Sequence, residues 1–423
     1  MDKTIFFIFL NILTAMIYSE YSAPILLFPE VAETRSLTSV EISVIFSAFP
    51  VGAFPISIYI GKKMRFYKKQ NLLLIFFSLS CLSRFFLGIV YYIENSATFF
   101  AVSFLARLLS GMAEGAALPV LFSFIPDLYP KDVAIKFGIL ELGGLIGNCL
   151  GGPLAALIFS FSDYFSVFSY MSVFNLIIGN SIIYFCLKGD EFVGVYDESE
   201  KKSLPMKNAL LSNPNVLWNT IYLGLTSLPY YMVQSSFDLY IKTLTPEKSI
   251  QSLVYAMIVL GMGVGVFVLM KFNFSYYERQ ILFYGGIAEI IFTTFFGPDT
   301  LYGIEDSTTK MILIGIAFFV VGFSLDVIFI NLTKILIDDL LEVFPEETEL
   351  CSDFANGLYF TGFNLDEFIG PIFGGVINFY LGYERIGTIF SLILLVFFVN
   401  YWIFKKPSAG GNGMQENKRL SQN

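Results

Sequence analysis

The chain has no histidine among its 423 residues. That removes imidazole metal ligands and imidazole general bases, so any proton chemistry must run on carboxylates. Charge is scarce as well: Asp, Glu, Lys and Arg make up 14% of the residues, against about 25% in soluble domains. A chain this poor in charge cannot cover its own surface in water, whereas lipid solvates apolar side chains directly. Cysteine is rare. Cys81, Cys149, Cys186 and Cys351 show no CxxC spacing and read as small apolar residues rather than disulfides or ligands. No basic tract stands apart from the loops, so nothing points to nucleic acid. No nucleophile–base set, metal cluster or phosphate loop points to an enzyme, a metal or a cofactor.

What the sequence does have is oil. Hydrophobic residues make up 55% and aromatic residues 17% of the chain. A span needs roughly 20 mostly apolar residues to cross a bilayer. Twelve segments fit: Thr4–Phe28, Val40–Gly61, Leu72–Tyr92, Thr98–Phe124, Val133–Phe161, Val167–Leu187, Asn215–Ile241, Ile250–Met270, Ile281–Phe296, Met311–Leu336, Ala355–Tyr380 and Ile386–Phe404. They are too long and continuous for barrel strands. Thr4–Phe28 exceeds a signal-peptide core and reads as a retained first span. The polar stretch 188–212 splits the set six and six. The expectation is an all-α membrane protein of two six-helix bundles, residues 1–187 and 213–404, joined by a cytoplasmic linker and followed by a disordered cytoplasmic tail, residues 405–423.

Lys and Arg concentrate in alternate loops. Lys62, Lys63, Arg65, Lys68 and Lys69 follow the second segment, and Lys188, Lys201, Lys202 and Lys207 follow the sixth. Of the opposite loops, the first holds Arg35, Glu94–Ser96 holds no base and the last holds Arg385. Both termini are therefore expected in the cytoplasm, and the sequons at Asn273 and Asn331 should go unglycosylated. The membrane is expected to be a plasma membrane or that of a vesicle or vacuole.

The halves echo one another. Gly147, Gly151, Gly152 and Pro153 in the fifth segment match Gly370, Pro371, Gly374 and Gly375 in the eleventh. Internal repeats of this kind place a binding site at the repeat interface. Pro153 and Pro371 each remove a helix hydrogen bond and supply a bendable point. Gly261, Gly263 and Gly265 allow close helix approach in the eighth segment.

Charge inside the membrane is expensive and marks function by default. Glu20, Arg84, Arg107, Glu114 and Glu141 lie in the first half; Asp238, Glu289, Asp326, Asp366 and Glu367 lie in the second. Acids predominate, which favours protons or cationic cargo. Helical spacing aligns Arg107, Gly111, Glu114 and Leu118; Glu141, Leu145, Asn148 and Gly152; Ser227, Tyr231, Gln234 and Asp238; and Tyr359, Phe363, Asp366 and Gly370. Each face points at a cavity or at another helix. Arg107 with Glu114 or Glu141 also fits a structural ion pair, Arg84 fits a pair with Glu94, and Asp238 also fits the membrane surface. Asp366 and Glu367 are adjacent, so at most one lines the cavity.

Three motifs resemble the major facilitator superfamily. They are Gly61-Lys62-Lys63-Met64-Arg65, with Arg65 where the family has Asp; Arg107 to Gly115 of the fourth segment; and Gly147 to Pro153, similar to the antiporter motif. The resemblance implies alternating access and a proton-coupling role for Arg107. More narrowly, Phe104–Pro153, Phe354–Glu384 and Phe296-Gly297-Pro298 resemble the vesicular amine and polyamine carriers, with Gln234 and Phe360 where those carry acids. The chain is thus expected to be a monomeric, proton-coupled antiporter of small organic cations. A uniporter or symporter of a neutral or anionic metabolite is the alternative, and a non-transporting receptor or scaffold is a second.

Overall fold

The computed structural model describes residues 3–63, 67–129, 133–186, 213–271, 277–298, 303–345 and 348–404. The expected linker 188–212, the tail 405–423, Arg65 and the Asn273 sequon lie outside the described residues. Fourteen α-helices make up the described fold. In the first half they are α1 (Lys3–Thr34), α2 (Ser39–Lys63), α3 (Lys69–Ile89), α4 (Ser96–Phe122), short α5 (Phe124–Leu128), α6 (Val133–Phe159) and α7 (Tyr164–Cys186). The second half holds α8 (Pro214–Val233), α9 (Phe237–Leu244), α10 (Lys248–Lys271), α11 (Glu278–Thr293), α12 (Ser307–Leu341), α13 (Thr348–Leu381) and α14 (Glu384–Phe404). The helices start on local chemistry: Asn95 caps α4 through Thr98, Asp306 caps α12 through Thr309, and Pro214 sits in the first turn of α8 behind Asn213.

Nine helices among the described residues are long and apolar enough to cross a bilayer. Three of the twelve expected segments differ from a simple span. The seventh is broken: α8 ends at Val233, and α9 restarts at Phe237 after a bend at Gln234–Ser236. The ninth, α11, has only 16 residues before a 3-10 turn at Thr294–Phe296. The eleventh, α13, carries Asp366 and Glu367 side by side in its interior.

The halves repeat one packing plan. In the first, α1 packs on α6, α2 on α4, and α3 on both α4 and α7. In the second, α8 packs on α13, α10 on α12, and α11 on both α12 and α14. Small residues make the matching crossings possible. A Cβ on Gly111 would overlap the Phe49 backbone, and one on Gly322 would overlap that of Ile258. At the other pair, Gly147 and Gly151 lie against Ala15 and Ser19, and Gly370 and Gly374 lie against Tyr231 and Met232. Gly261 and Gly265 press on α12, but Gly263 meets nothing among the described residues and faces away, which corrects the reading of all three as packing positions.

The halves meet along α6–α10 and α2–α13, with α9 touching α1. Lys3 donates to Leu128, and the Trp218 and Phe404 rings stack, so both ends of the described chain lie on one face, here the terminal face. The distal face carries the turns at residues 35–38, 93–95, 245–247 and 382–383.

Candidate functional site

The site forms where α1, α4, α6, α8 and α13 converge between the faces. On α4, Arg107 is buried, and its guanidinium carbon lies 4.9 Å from the Phe49 ring centroid, 5.2 Å from Phe46 and 5.7 Å from Tyr21. Aromatic faces stabilise such a cation by their quadrupoles. Glu114, two turns on, pairs with another base rather than with Arg107. It forms a buried ion pair with Arg84 of α3 and accepts the Ser110 hydroxyl at 3.2 Å. Arg84 is therefore not a partner of Glu94. Gly111, between Arg107 and Glu114, packs against the Phe49 backbone of α2, so it accommodates a helix rather than a ligand.

Across the interface, Tyr21 of α1 donates to Glu367 of α13 at 2.5 Å and lies 3.3 Å from the Gln234 carbonyl oxygen. Asn148 of α6 donates to the Tyr230 hydroxyl at 3.3 Å. Tyr231 stands edge-on to Tyr230 and to Phe363, whose ring in turn meets Phe329 at 4.5 Å. Gln234 Nε2 and Asn148 Oδ1 are buried without a hydrogen-bond partner among the described residues. Polar groups with spare bonding capacity, set among aromatic rings between two domains, are the makings of a small-molecule site.

Glu141 is exposed although it lies two turns inside α6. The outer stripe of that helix is Ile146, Leu150, Leu154 and Leu157, all exposed. At about 100° per residue, Glu141 points roughly 140–180° away from them. It lies within electrostatic reach of Tyr18 and Asp326. Its exposure is therefore to a crevice on the inner side of α6, not to lipid. Asp326 of α12 is buried, with Oδ2 unpartnered among the described residues.

The distal face is sealed. Ser43 and Ser235 hydroxyls touch at 2.9 Å, Ser47 donates to Phe368 at 2.8 Å, and Asn378 donates to Ser39 at 2.9 Å. Above them, Lys242 and Lys248 each lie 2.8 Å from Glu30, and Lys248 reaches Asp238 at 2.6 Å. The break at Gln234–Ser236 puts Asp238 on a separate helix, so the expected continuous face from Ser227 through Asp238 does not exist. Asp238 belongs to the distal ion cluster.

Asp366 points at α8, where Ser227 donates to it, while Glu367 points at α1. Of this adjacent pair, Glu367 is the one at the interface between the halves. Sequence reasoning placed Asp366 among the site residues and allowed at most one of Asp366 and Glu367 at the cavity, and it did not single out Tyr21, Tyr230 or Glu30. Adjacent acids lie about 100° apart on a helix, and only the position of α1 decides between them. Gly375 lies where the halves touch, against Ser43, whereas Gly152 packs against Leu26 of its own half with Ser252 of α10 beyond it. Pro153 and Pro371 lie inside α6 and α13 without ending either helix. The side chains of Glu20 and Tyr359 and the surroundings of Gly61 lie outside the described residues, though all three positions are helical.

The major facilitator superfamily profile matches residues 8–348. Among curated proteins, the MFS-type transporter SLC18B1 of Rattus norvegicus is 24% identical over 137 residues, and the Mus musculus protein matches equally. The match covers 32% of this chain and spans only 30% of the length of those relatives. Among solved structures, the nucleoside transporter NupG superposes with a TM-score of 0.72 at 14% identity, over 96% of this chain and all of NupG; a point mutant of NupG gives 0.73 over 95%. That likeness is one of fold. With the profile spanning most of the chain and the repeated helix packing, the protein is a multi-pass membrane protein that belongs to the major facilitator superfamily.

Proposed function

We propose that the chain exchanges protons for small organic cations by alternating access between residues 1–187 and 213–404, with both termini in the cytoplasm. The observation that carries this reading is the charge of the crevice region. Glu141, Asp326 and Glu367 approach it from three helices, and Arg107 is a cation held among Tyr21, Phe46 and Phe49. Acids beside aromatic rings suit an ammonium group, which gains from both. A carboxyl reached by water from one face can take up or release a proton there. Emptying the acids of cargo and refilling them with protons keeps the region from carrying bare negative charge. Each pH unit of gradient then supplies about 1.4 kcal/mol per proton. The partial resemblance to SLC18B1, an MFS-type transporter, supports the same branch. In this reading Pro153 and Pro371 bend α6 and α13, and the distal cluster of Glu30, Asp238, Lys242 and Lys248 latches the closed face.

One observation favours a second reading. Gln234 and Asn148 offer uncommitted amide atoms beside tyrosines, which fits a neutral polar ring, and the fold neighbour NupG is a nucleoside transporter. Thermal unfolding of the purified protein against a panel separates the two. Spermidine, putrescine and dopamine should raise the melting temperature and uridine and adenosine should not; the reverse pattern supports the neutral-substrate reading. Asp326→Asn should abolish the response to spermidine, and an unchanged shift would remove Asp326 from the site.

A further inference from the structure

The buried face of α11 is a single stripe: Leu282, Gly286, Glu289 and Thr293. Glu289 has no exposed surface, and neither carboxylate oxygen has a hydrogen-bond partner among the described residues; the Thr293 hydroxyl, one turn on, is equally buried and unpartnered. The neighbours explain why nothing neutralises it. On α8, Tyr222 gives its hydroxyl to the Leu282 carbonyl. On α14, Phe398 packs against Gly286, and Ser391 donates to the Ile290 carbonyl. From α12, Ile328 covers Gly285. Among the described residues, the charged group in electrostatic reach of Glu289 is another acid, Asp366 of α13. The nearest base along α11 itself is Arg279, ten residues and about 15 Å away. An ionised carboxylate placed so would carry an uncompensated desolvation penalty.

We propose that Glu289 is a proton-binding residue of the transport cycle, storing a proton behind the crevice, opposite Asp366. This rests on the proton-coupled reading above. Two carboxyls within electrostatic reach of each other in a dry interior resist being charged together. The pair therefore moves between a state with a proton on each and a state with one proton between them. The departing proton passes from a carboxyl O–H to solvent water, and the electron pair of that bond stays behind as carboxylate. Ser227, which donates to Asp366, is placed to stabilise the negative charge of the one-proton state of the pair. α13 carries both Asp366 and Glu367, so the charge state of this rear pair is transmitted to the face where Glu367 meets Tyr21.

The test uses Glu289→Gln, which keeps the shape and removes the proton, with Glu289→Asp as the rescue. Infrared spectra of the purified protein at neutral pH should contain a protonated-carboxyl band that Glu289→Gln deletes and Glu289→Asp restores at a shifted position. In proteoliposomes with an acidic interior, Glu289→Gln should lower steady-state spermidine accumulation by about tenfold per pH unit, the yield of one proton fewer per cycle. Spermidine counterflow without a gradient should persist, which shows a folded carrier. A carboxyl spectrum unchanged by Glu289→Gln overturns the inference alone, as does a lost band with unchanged accumulation, and a band present only after sodium removal would assign the site to sodium instead. Wild-type uptake indifferent to the gradient would overturn the antiport reading and this one with it.

Discussion

Arg84 and Glu114 show how much hangs on a single pair. Both are buried, and they neutralise each other in the first half. Arg84→Met would strand Glu114 without its partner, at a cost of about 3–5 kcal/mol. The expected result is a markedly lower melting temperature in detergent, and wild-type melting would show the pair to be dispensable. The sequence displayed every one of these charges, because an acid or base in an apolar run is conspicuous. It did not display the partners. Arg107 and Glu114 share a face of α4, which suggested a pair within one helix, yet α3 brings Arg84 to Glu114 and α2 brings Phe46 and Phe49 to Arg107. Partner choice depends on which helices become neighbours, and no local spacing encodes that.

The elements were legible where apolar runs are long, and less so where the chain bends. The seventh segment reads as one helix because Gln234, Ser235 and Ser236 are neither Gly nor Pro. Its break is held from outside, by Ser43 and by the Pro371 carbonyl, both bonded to Ser235. The glycine-rich crossings were visible, but not which glycines serve them. Gly147→Val drives a side chain into the Ala15 backbone and should destabilise by about 1–3 kcal/mol, whereas Gly263→Val, with open space beside it, should melt like wild type. Equal melting of the two would contradict the α1–α6 contact. At the distal start of α12, hydrogen bonds from Thr309 hold the Asp306 carboxyl below its usual range. That cap is complete above the ordinary carboxylate range and is lost as pH falls through the lowered value. Amide exchange at Thr309 should accelerate only in strong acid, and exchange indifferent to pH apart from its intrinsic rate would remove the cap.

At the scale of the molecule, the two halves are closed at the distal face, and Glu141 is exposed on the inner side of α6. Transport requires that seal to open. Cysteines at Ser43 and Ser235, whose hydroxyls are 2.9 Å apart, should cross-link under mild oxidation and stop transport until the bond is reduced. Persistent transport with the cross-link intact would mean that the halves do not part there. Glu30→Gln removes the shared partner of Lys242 and Lys248 and should raise labelling of a single distal cysteine at Ser43. The two-bundle plan was readable from the repeat of fifth and eleventh segments, while the conformational state was not, since it depends on contacts such as Ser47 with Phe368 that join distant parts of the chain. The most direct measurement is spermidine accumulation in proteoliposomes with and without an acidic interior. Proton-coupled exchange predicts concentrative uptake that collapses when the gradient is dissipated; uptake that only equilibrates, whatever the gradient, would contradict it.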